Sequence, residues 1–331
     1  MKAIIPVAGA GTKLRPHTYT QPKALIPMAG KTILSVILED MIAAGIKEYI
    51  FVIGYLGEKI KDYIRQHYPD LKASFVNQNE RRGTGHAIAL TQELVAGDEA
   101  LIVYGDTICD LDLKEVLETE ASVICVRKVE DPRNFGVAEL NKDNVIVKVV
   151  EKPAIPKSNM AMVGIYKIKN TNLLFDVLQE LMSKEAGADG EYHFTHAIQV
   201  MIDRGVVFKA NKVNNWFDCG RKETLLETNQ TLLKNLQSRK GYSVPQFENT
   251  VIIQPVNIAE GCEIKNCIIG PNVSIGEQSK VTASIISNSI IGSYAVLDEV
   301  VLNSSFIGND TYVRGLIQSL NIGDNTEIDL G

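Results

Sequence analysis

The sequence predicts an α/β chain in two parts: a mixed, mainly parallel sheet with flanking helices over residues 1–240, and a left-handed parallel β-helix over residues 241–331. Three observations carry this. Short apolar runs alternate with helix-patterned segments from residue 3 to residue 104, which is the signature of parallel βαβ units. Between residues 121 and 169 the helices give way to strands joined by polar turns. Beyond Gly241, aliphatic–glycine pairs recur at Ile269-Gly270, Ile275-Gly276, Ile291-Gly292, Ile307-Gly308 and Ile322-Gly323, with Asn, Ser and Asp between them. A repeat of that kind stacks an aliphatic ladder from coil to coil and reads as a solenoid.

The elements follow in order. Ala3 to Ala8 is a buried strand by its unbroken apolar run. Thr32 to Gly45 has helical periodicity, with Thr32 as N-cap and Gly45 as C-cap. Glu48 to Ile53 and Ala73 to Asn77 are strands around a helix from Glu58 to His67. A polar turn from Gln78 leads into a further helix, and Leu101 to Tyr104 is a buried strand that ends at Gly105-Asp106. The stretches ASVICVRKV, FGVAELN, NVIVKVVEKP and MAMVGIYKIK are strands, the second and third joined by the turn Asn141 to Asn144. Helices are expected over Thr171 to Met182, Tyr192 to Arg204 and Lys222 to Ser238, with a strand from Val206 to Val213.

The bulk numbers exclude several classes. A formal net charge of −6 argues against nucleic acid as the main partner. No run of eighteen apolar residues is present, so no membrane span is expected. The start MKAIIPVAG lacks a signal peptide's apolar core. Five cysteines without a CxxC pair read as reduced thiols of a cytoplasmic protein.

The chemistry is concentrated in the opening 27 residues. After the first strand comes the small-residue loop Gly9-Ala10-Gly11-Thr12, then Lys13, Arg15 and Lys23 within a short span. Glycine lets backbone N–H groups approach an anion, and the nearby cations point to polyphosphate, so the loop is expected to bind a nucleoside triphosphate. A dinucleotide fingerprint is disfavoured, because Leu14 stands where its third glycine belongs. In parallel sheets ligands sit at the carboxyl ends of strands, where both this loop and Asp106 fall.

Six motifs in order carry a resemblance to a known family: GAGTKLRPHT, QPKALIP, QNERRGTGHA (Gln78 to Ala87), Tyr104-Gly105-Asp106, EKPAIPKSNMAMVGIY (Glu151 to Tyr166) and WFDCG (Trp216 to Gly220). Together they resemble the sugar-1-phosphate nucleotidyltransferases over residues 1 to 238, and some members of that family also carry a β-helix. The resemblance implies a Rossmann-like nucleotidyltransferase domain and attack of a sugar 1-phosphate on the α-phosphorus of a nucleoside triphosphate. It places the nucleotide on Ala8, Gly9, Ala10, Gly11, Thr12, Gln78, Gly83 and Thr84, with the Gln78 amide offering donor and acceptor to a pyrimidine. It implies that Lys13 stabilises leaving pyrophosphate, that Lys23 meets the α-phosphate, and that Asp106 and Asp218 hold Mg²⁺. The sugar phosphate falls to Lys152 and the sugar hydroxyls to Glu151, with Gly136 and Gly164 allowing close approach. Glu191 and His193 read as structural, and His86 carries no assigned chemistry.

Two positions depart from the family pattern: most relatives have arginine where Lys13 stands and commonly aspartate where His196 stands. Lysine is a point charge without arginine's two-pronged fork. Glucose 1-phosphate with dTTP or UTP is the expected pair, with GTP or ATP as alternatives. A bifunctional acetyl-transferring enzyme is disfavoured, because the last histidine is His196. A catalytically silent subunit that binds sugar nucleotide is the alternative outside the enzymes. A homo-oligomer through the β-helix is expected, since a solenoid end exposes strand edges.

Overall fold

The computed structural model describes residues 1–187 and 190–315 and forms two compact units that divide between Thr228 and Asn229. The division falls inside a helix, Lys222–Gln237, ahead of the change in sequence texture at Gly241.

The first unit is built on a nine-stranded sheet. In chain order its first half contains β1 (Lys2–Pro6), a two-residue hairpin of β2 (Pro27–Met28) and β3 (Lys31–Thr32), α1 (Ile33–Ala43), β4 (Glu48–Ile53), α2 (Gly57–His67) and β5 (Lys72–Asn77). Then come α3 (Thr84–Ala89), α4 (Gln92–Val95), β6 (Ala100–Val103), β7 (Thr107–Cys109) and α5 (Leu113–Glu118). The second half adds β8 (Ser122–Lys128), β9 (Gly136–Leu140), β10 (Ile146–Glu151), β11 (Met160–Ile168), α6 (Thr171–Met182), α7 (Phe194–Asp203), β12 (Phe208–Lys212), β13 (Trp216–Asp218) and α8 (Lys222–Gln237).

Strands β5, β4, β1 and β6 lie side by side and parallel. The chain therefore steps outward from β1 through β4 to β5, then returns to pair β6 on the other side of β1. That reversal opens a crevice beyond the carboxyl ends of β1 and β6. Gly105 sits in it because nothing larger fits: a Cβ there would lie 2.2 Å from Val7 Cγ1. The remaining strands extend the sheet in mixed fashion, with β11 antiparallel to β6, β8 and β9 and β12 parallel to β8. β11 changes register between Met162 and Tyr166, and Gly164 at that bulge has φ +86°.

The helix ends follow local chemistry. Thr32 caps α1 by accepting the Ser35 N–H at 3.1 Å, and Asn170 caps α6 by accepting the Leu173 N–H at 3.0 Å. α1 buries Ile33, Leu34, Ile37, Leu38 and Met41, while Ala87, Ile88, Leu174, Leu178, Phe194 and Ile198 from α3, α6 and α7 join the sheet's apolar side chains in one core. Each such side chain taken fully out of water contributes about 1.5–3 kcal/mol. The single helix expected after Gln78 is instead two short ones, broken where Thr91 Oγ1 donates to the Ile88 carbonyl at 2.7 Å, and the second ends where Ala96 turns left-handed.

The second unit stacks short strands into three parallel four-stranded sheets, the arrangement of a left-handed parallel β-helix. In one sheet Val251, Ile268, Ile285 and Val301 are in register, so successive coils advance by 17, 17 and 16 residues. Inside, Ile252, Ile269, Ile286 and Leu302 stack as the next rung inward. At Gly276 and Gly292 the glycine of the aliphatic–glycine pair has a steric reason. A Cβ on Gly276 would lie 2.5 Å from Ser293 N, and one on Gly292 would lie 2.6 Å from Asn309 N, so the following coil's backbone occupies the space. Asn266, Asn272 and Asn288 hold left-handed corners, which asparagine tolerates. Ile322-Gly323 lies outside the described residues.

Candidate active site

The crevice at the strand reversal holds two adjoining cavities. The first, about 270 Å³, is lined by Ala8 and Gly9 after β1, Lys23, Gln78 after β5, Gly83 and Thr84 at the start of α3, and Tyr104 to Asp106 after β6. The second, about 240 Å³, is lined by Gly136, Glu151, Lys152, Gly164, Thr195, Trp216 and Asp218 among others. Thr84, Tyr104, Asp106 and Glu191 belong to both walls.

Two carboxylates and one ammonium stand at the centre. β7 and β13 pair antiparallel with Thr107 opposite Asp218, and the Cys219 N–H donates to the Asp106 carbonyl at 3.0 Å, which brings the two aspartates together from distant parts of the chain. Lys23 Nζ lies 2.5 Å from Asp106 Oδ2 and 3.9 Å from Asp218 Oδ1. Burial alone would lower the pKa of this ammonium, but Asp106 and then Asp218 outweigh it and hold Lys23 above its ordinary value. Burial and the like charge of Asp106 push Asp218 up, against the pull of Lys23, Lys13 and Arg221.

The first cavity contains the residues expected for a base. Gln78 is buried, and its Nε2 donates to the Gly83 carbonyl at 3.1 Å and lies 3.1 Å from His86 Nδ1. This differs from the expectation that the amide offers both donor and acceptor, because its NH₂ group is engaged within the protein. Gly83 has φ +94° and ψ 175°, a region essentially reserved for glycine, and a Cβ there would lie 2.6 Å from the Tyr192 carbonyl oxygen. The turn is latched to the segment before α7 by Gly85 N–H to Tyr192 O at 2.7 Å and Tyr192 N–H to Arg82 O at 2.8 Å. The Arg82 guanidinium also lies over the Tyr192 ring, 5.0 Å from its centroid.

In the second cavity Glu151 is held by Thr195, whose Oγ1 donates to Oε2 at 2.6 Å, and His193 Nδ1 lies 3.9 Å from Oε1. Gly136 faces Glu151 across the β9–β10 pair, and a Cβ there would lie 2.4 Å from Met162 Cε. Lys152 has φ +38°, uncommon for a residue with a side chain, and its half-exposed ammonium lies 3.6 Å from Glu151. At Gly164 a Cβ would lie 2.9 Å from both Thr107 Oγ1 and the Tyr104 ring. The Trp216 indole N–H is buried without a protein acceptor. Burial pushes the Tyr104 phenol up to about 12, so at the junction of the cavities it is a neutral hydroxyl.

Ala8, Gly9, Lys23, Gln78, Gly83, Thr84, Asp106, Gly136, Glu151, Lys152, Gly164 and Asp218 thus come together. Ala10, Gly11, Thr12 and Lys13 line neither cavity. Gly11 has φ +60°, and its carbonyl accepts from the Leu14 N–H at 2.9 Å and Thr18 Oγ1 at 2.7 Å, so it closes a tight turn beside the crevice. Lys13 is exposed, yet close enough for its charge to lower the pKa of Asp218. Sequence reasoning did not assign Arg81, Thr195 or Trp216 to the lining, and it read Glu191 and His193 as structural. The last two precede α7, which starts at Phe194, two residues after the start expected at Tyr192.

A sheet that reverses at β1 puts an aspartate pair and one lysine in the crevice where α/β enzymes bind their ligands. The sequence profile of the nucleotidyl transferase family matches residues 2–235, and the chain belongs to that family of sugar-1-phosphate nucleotidyltransferases. It is 33% identical over 336 residues to the bifunctional protein GlmU of Methanococcus vannielii, across 99% of this chain and 75% of that protein. It is 29% identical over 361 residues to the glucose-1-phosphate thymidylyltransferase of Streptomyces antibioticus, across 100% of this chain and 99% of that one. A crystal structure of UDP-glucose pyrophosphorylase with UDP-glucose superposes with a TM-score of 0.62 at 25% identity, across 71% of this chain and 98% of that one. Among the described residues no helix is long and apolar enough to cross a membrane.

Proposed function

We propose that the chain transfers a nucleotidyl group from UTP or dTTP to a sugar 1-phosphate, with glucose 1-phosphate as the expected acceptor, and releases pyrophosphate. The observation that carries this is the pair of adjoining cavities with Asp106 in their common wall. The attacking phosphate monoester is already ionised near neutral pH, its second pKa being about 6, so no general base is required. The difficulty is to bring two polyanions together. At 4 Å a pair of unit charges interacts by about 1 kcal/mol in water and about 4 kcal/mol at an effective dielectric of 20, so cations decide whether they can meet.

Backbone at Ala8 and Gly9, with the loop through Thr12, holds the triphosphate over Lys23. Lys13 faces the departing pyrophosphate from the rim. Lys152 takes the acceptor phosphate, while Glu151, oriented by Thr195, accepts from sugar hydroxyls. The unpaired Trp216 indole N–H is a further donor in that cavity. Two carboxylates are a sparse set for a divalent ion, but Mg²⁺ commonly takes one or two from protein and the rest from phosphate and water, so Asp106 and Asp218 fit it. When bound, the ion neutralises phosphate charge.

Pyrophosphate release with Mg²⁺, glucose 1-phosphate and each of UTP, dTTP, GTP and ATP tests the reading. Highest turnover is expected with UTP or dTTP. No release with any nucleotide across the common sugar phosphates would favour a silent subunit, and a clear GTP preference would overturn the pyrimidine assignment.

We also propose that the solenoid assembles copies of the chain. Val251, Ile268, Ile285 and Val301 form an in-register stripe and are 58%, 38%, 45% and 66% exposed, an apolar surface that a second copy would cover. Light scattering at micromolar concentration is expected to give an oligomer; a monomer mass would exclude it.

A further inference from the structure

We infer that Arg221 is a further phosphate-binding residue of the second cavity: together with Lys152, its guanidinium grips the phosphate of the sugar 1-phosphate and holds it at the aspartate pair. The inference rests on the reading of the second cavity as the acceptor site.

Arg221 stands where the chain leaves the charged centre. Asp218 ends β13, and the Gly220 N–H donates to the Asp218 carbonyl at 2.7 Å, so the backbone turns at once. A Cβ on Gly220 would lie 3.0 Å from Asp218 Oδ1 and 3.4 Å from Lys23 Nζ, which puts this turn against the carboxylate and the ammonium. The Arg221 Cα is about 3.8 Å further along the chain. There the backbone is fixed at the start of α8. The Arg221 N–H donates to Thr224 Oγ1 at 3.3 Å, and its carbonyl accepts from Thr224 Oγ1 and from the Leu225 N–H, both at 3.0 Å. The side chain is exposed, and among the described residues its guanidinium has no ion-pair partner. Its charge nonetheless reaches Asp218. The guanidinium is thus an uncommitted cation beside the centre.

The second cavity calls for such a cation. Asp106, Glu151, Glu191 and Asp218 line it, and Lys152 is the one lysine or arginine among the described residues that do. The Lys152 ammonium is shared with Glu151 at 3.6 Å. A phosphate monoester brings nearly two further negative charges. Lys13 leaves the loop after β1, whose Ala8 and Gly9 line the first cavity, whereas Arg221 leaves the turn after Asp218, which lines the second and not the first. A guanidinium donates through a planar fork to two oxygens of one phosphate. That leaves the third non-bridging oxygen to attack the α-phosphorus. The new P–O bond forms as the bond from the α-phosphorus to its bridging oxygen breaks, the electron pair departs on pyrophosphate, and no proton moves. Arg221 therefore orients the nucleophile as well as neutralising it.

The test is initial-rate kinetics of the full chain with Mg²⁺ in both directions. The forward reaction uses the preferred nucleotide with varied glucose 1-phosphate, and the reverse uses the corresponding sugar nucleotide with varied pyrophosphate. Arg221→Ala is expected to raise the KM of glucose 1-phosphate about tenfold, the lower end for a hydrogen bond between charged groups, and to leave the KM of nucleotide and of pyrophosphate within about twofold. Arg221→Lys keeps the charge without the fork and recovers part of the loss. In the wild type the KM of glucose 1-phosphate rises with KCl, because an exposed cation is screened, and in Arg221→Ala the rise is shallower. A purely structural role would leave the two slopes equal. If the glucose 1-phosphate KM of Arg221→Ala stays within about twofold of the wild type, or the pyrophosphate KM rises in its place, the inference is overturned. If the wild type releases no pyrophosphate with any nucleotide and sugar phosphate, the reading of the cavity fails instead. If Arg221→Ala does not fold, Arg221→Gln, which keeps the reach of the side chain and loses its charge, decides by the same KM.

Discussion

Replacing Asp106 with asparagine is expected to lower turnover by about a thousandfold while shifting the melting temperature by no more than a few degrees. The substitution keeps size and shape but removes half of the negative charge around Lys23 Nζ, which lies 2.5 Å from Asp106. Asp218 alone, 3.9 Å from that ammonium, is left to face cations and phosphate. Stability should change little, because Asp106 is 36% exposed in its side chain and its repulsion of Asp218 disappears with its charge. Steady-state pyrophosphate release and a thermal melt check the two halves separately. Turnover within threefold of the wild type would remove Asp106 from the reacting centre.

Gly83→Ala is expected to raise the nucleotide KM by at least tenfold, because the turn under the base cannot hold its shape with a side chain. Two effects add. The backbone at φ +94° and ψ 175° is strained for any residue with a Cβ, by about 1–3 kcal/mol. The new methyl would also lie 2.6 Å from Tyr192 O and 2.8 Å from Tyr192 N, both backbone atoms tied into the latch with Gly85 and Arg82. Either the turn moves or the latch opens, and the first changes the wall that Gln78 and Gly83 present. Initial-rate kinetics with varied nucleotide, beside a melt, decide the matter. An unchanged KM with an unchanged melting temperature would show that the turn tolerates a Cβ.

Much of this architecture can be read directly in the sequence, and the reasons are local. β1, β4 and β6 are apolar or near-apolar runs separated by helix-patterned segments, so period and punctuation agree. The coils of the solenoid announce themselves because glycines such as Gly276 and Gly292 are needed where the following coil's backbone abuts them. Asp106, Lys23 and Gln78 stand at strand ends or in short motifs, where chain position already constrains place. β2, β3, β7 and β13 are two or three residues long and carry no usable period. The contribution of Thr195 depends on a tertiary contact: its hydroxyl reaches Glu151 from the start of α7, 44 residues away in sequence. His86 looks like an ordinary residue of a short helix until the distance to Gln78 is known. Lys13 is the reverse case, prominent in its motif but placed outside both cavities, with only its charge near Asp218.

The pairing of β7 with β13 has a consequence for the making of the protein. Asp106 reaches the ribosomal exit early, but Asp218 is carried by the last strand of its unit and meets Asp106 only when that strand has been synthesised and docked. The β5–β4–β1–β6 sheet can assemble on a growing chain well before then, with its crevice and glycine-rich loop in place. A nascent or prematurely ended chain can therefore present one carboxylate and one lysine, but not the pair. The Asp106–Asp218 pair is completed as a late event of synthesis.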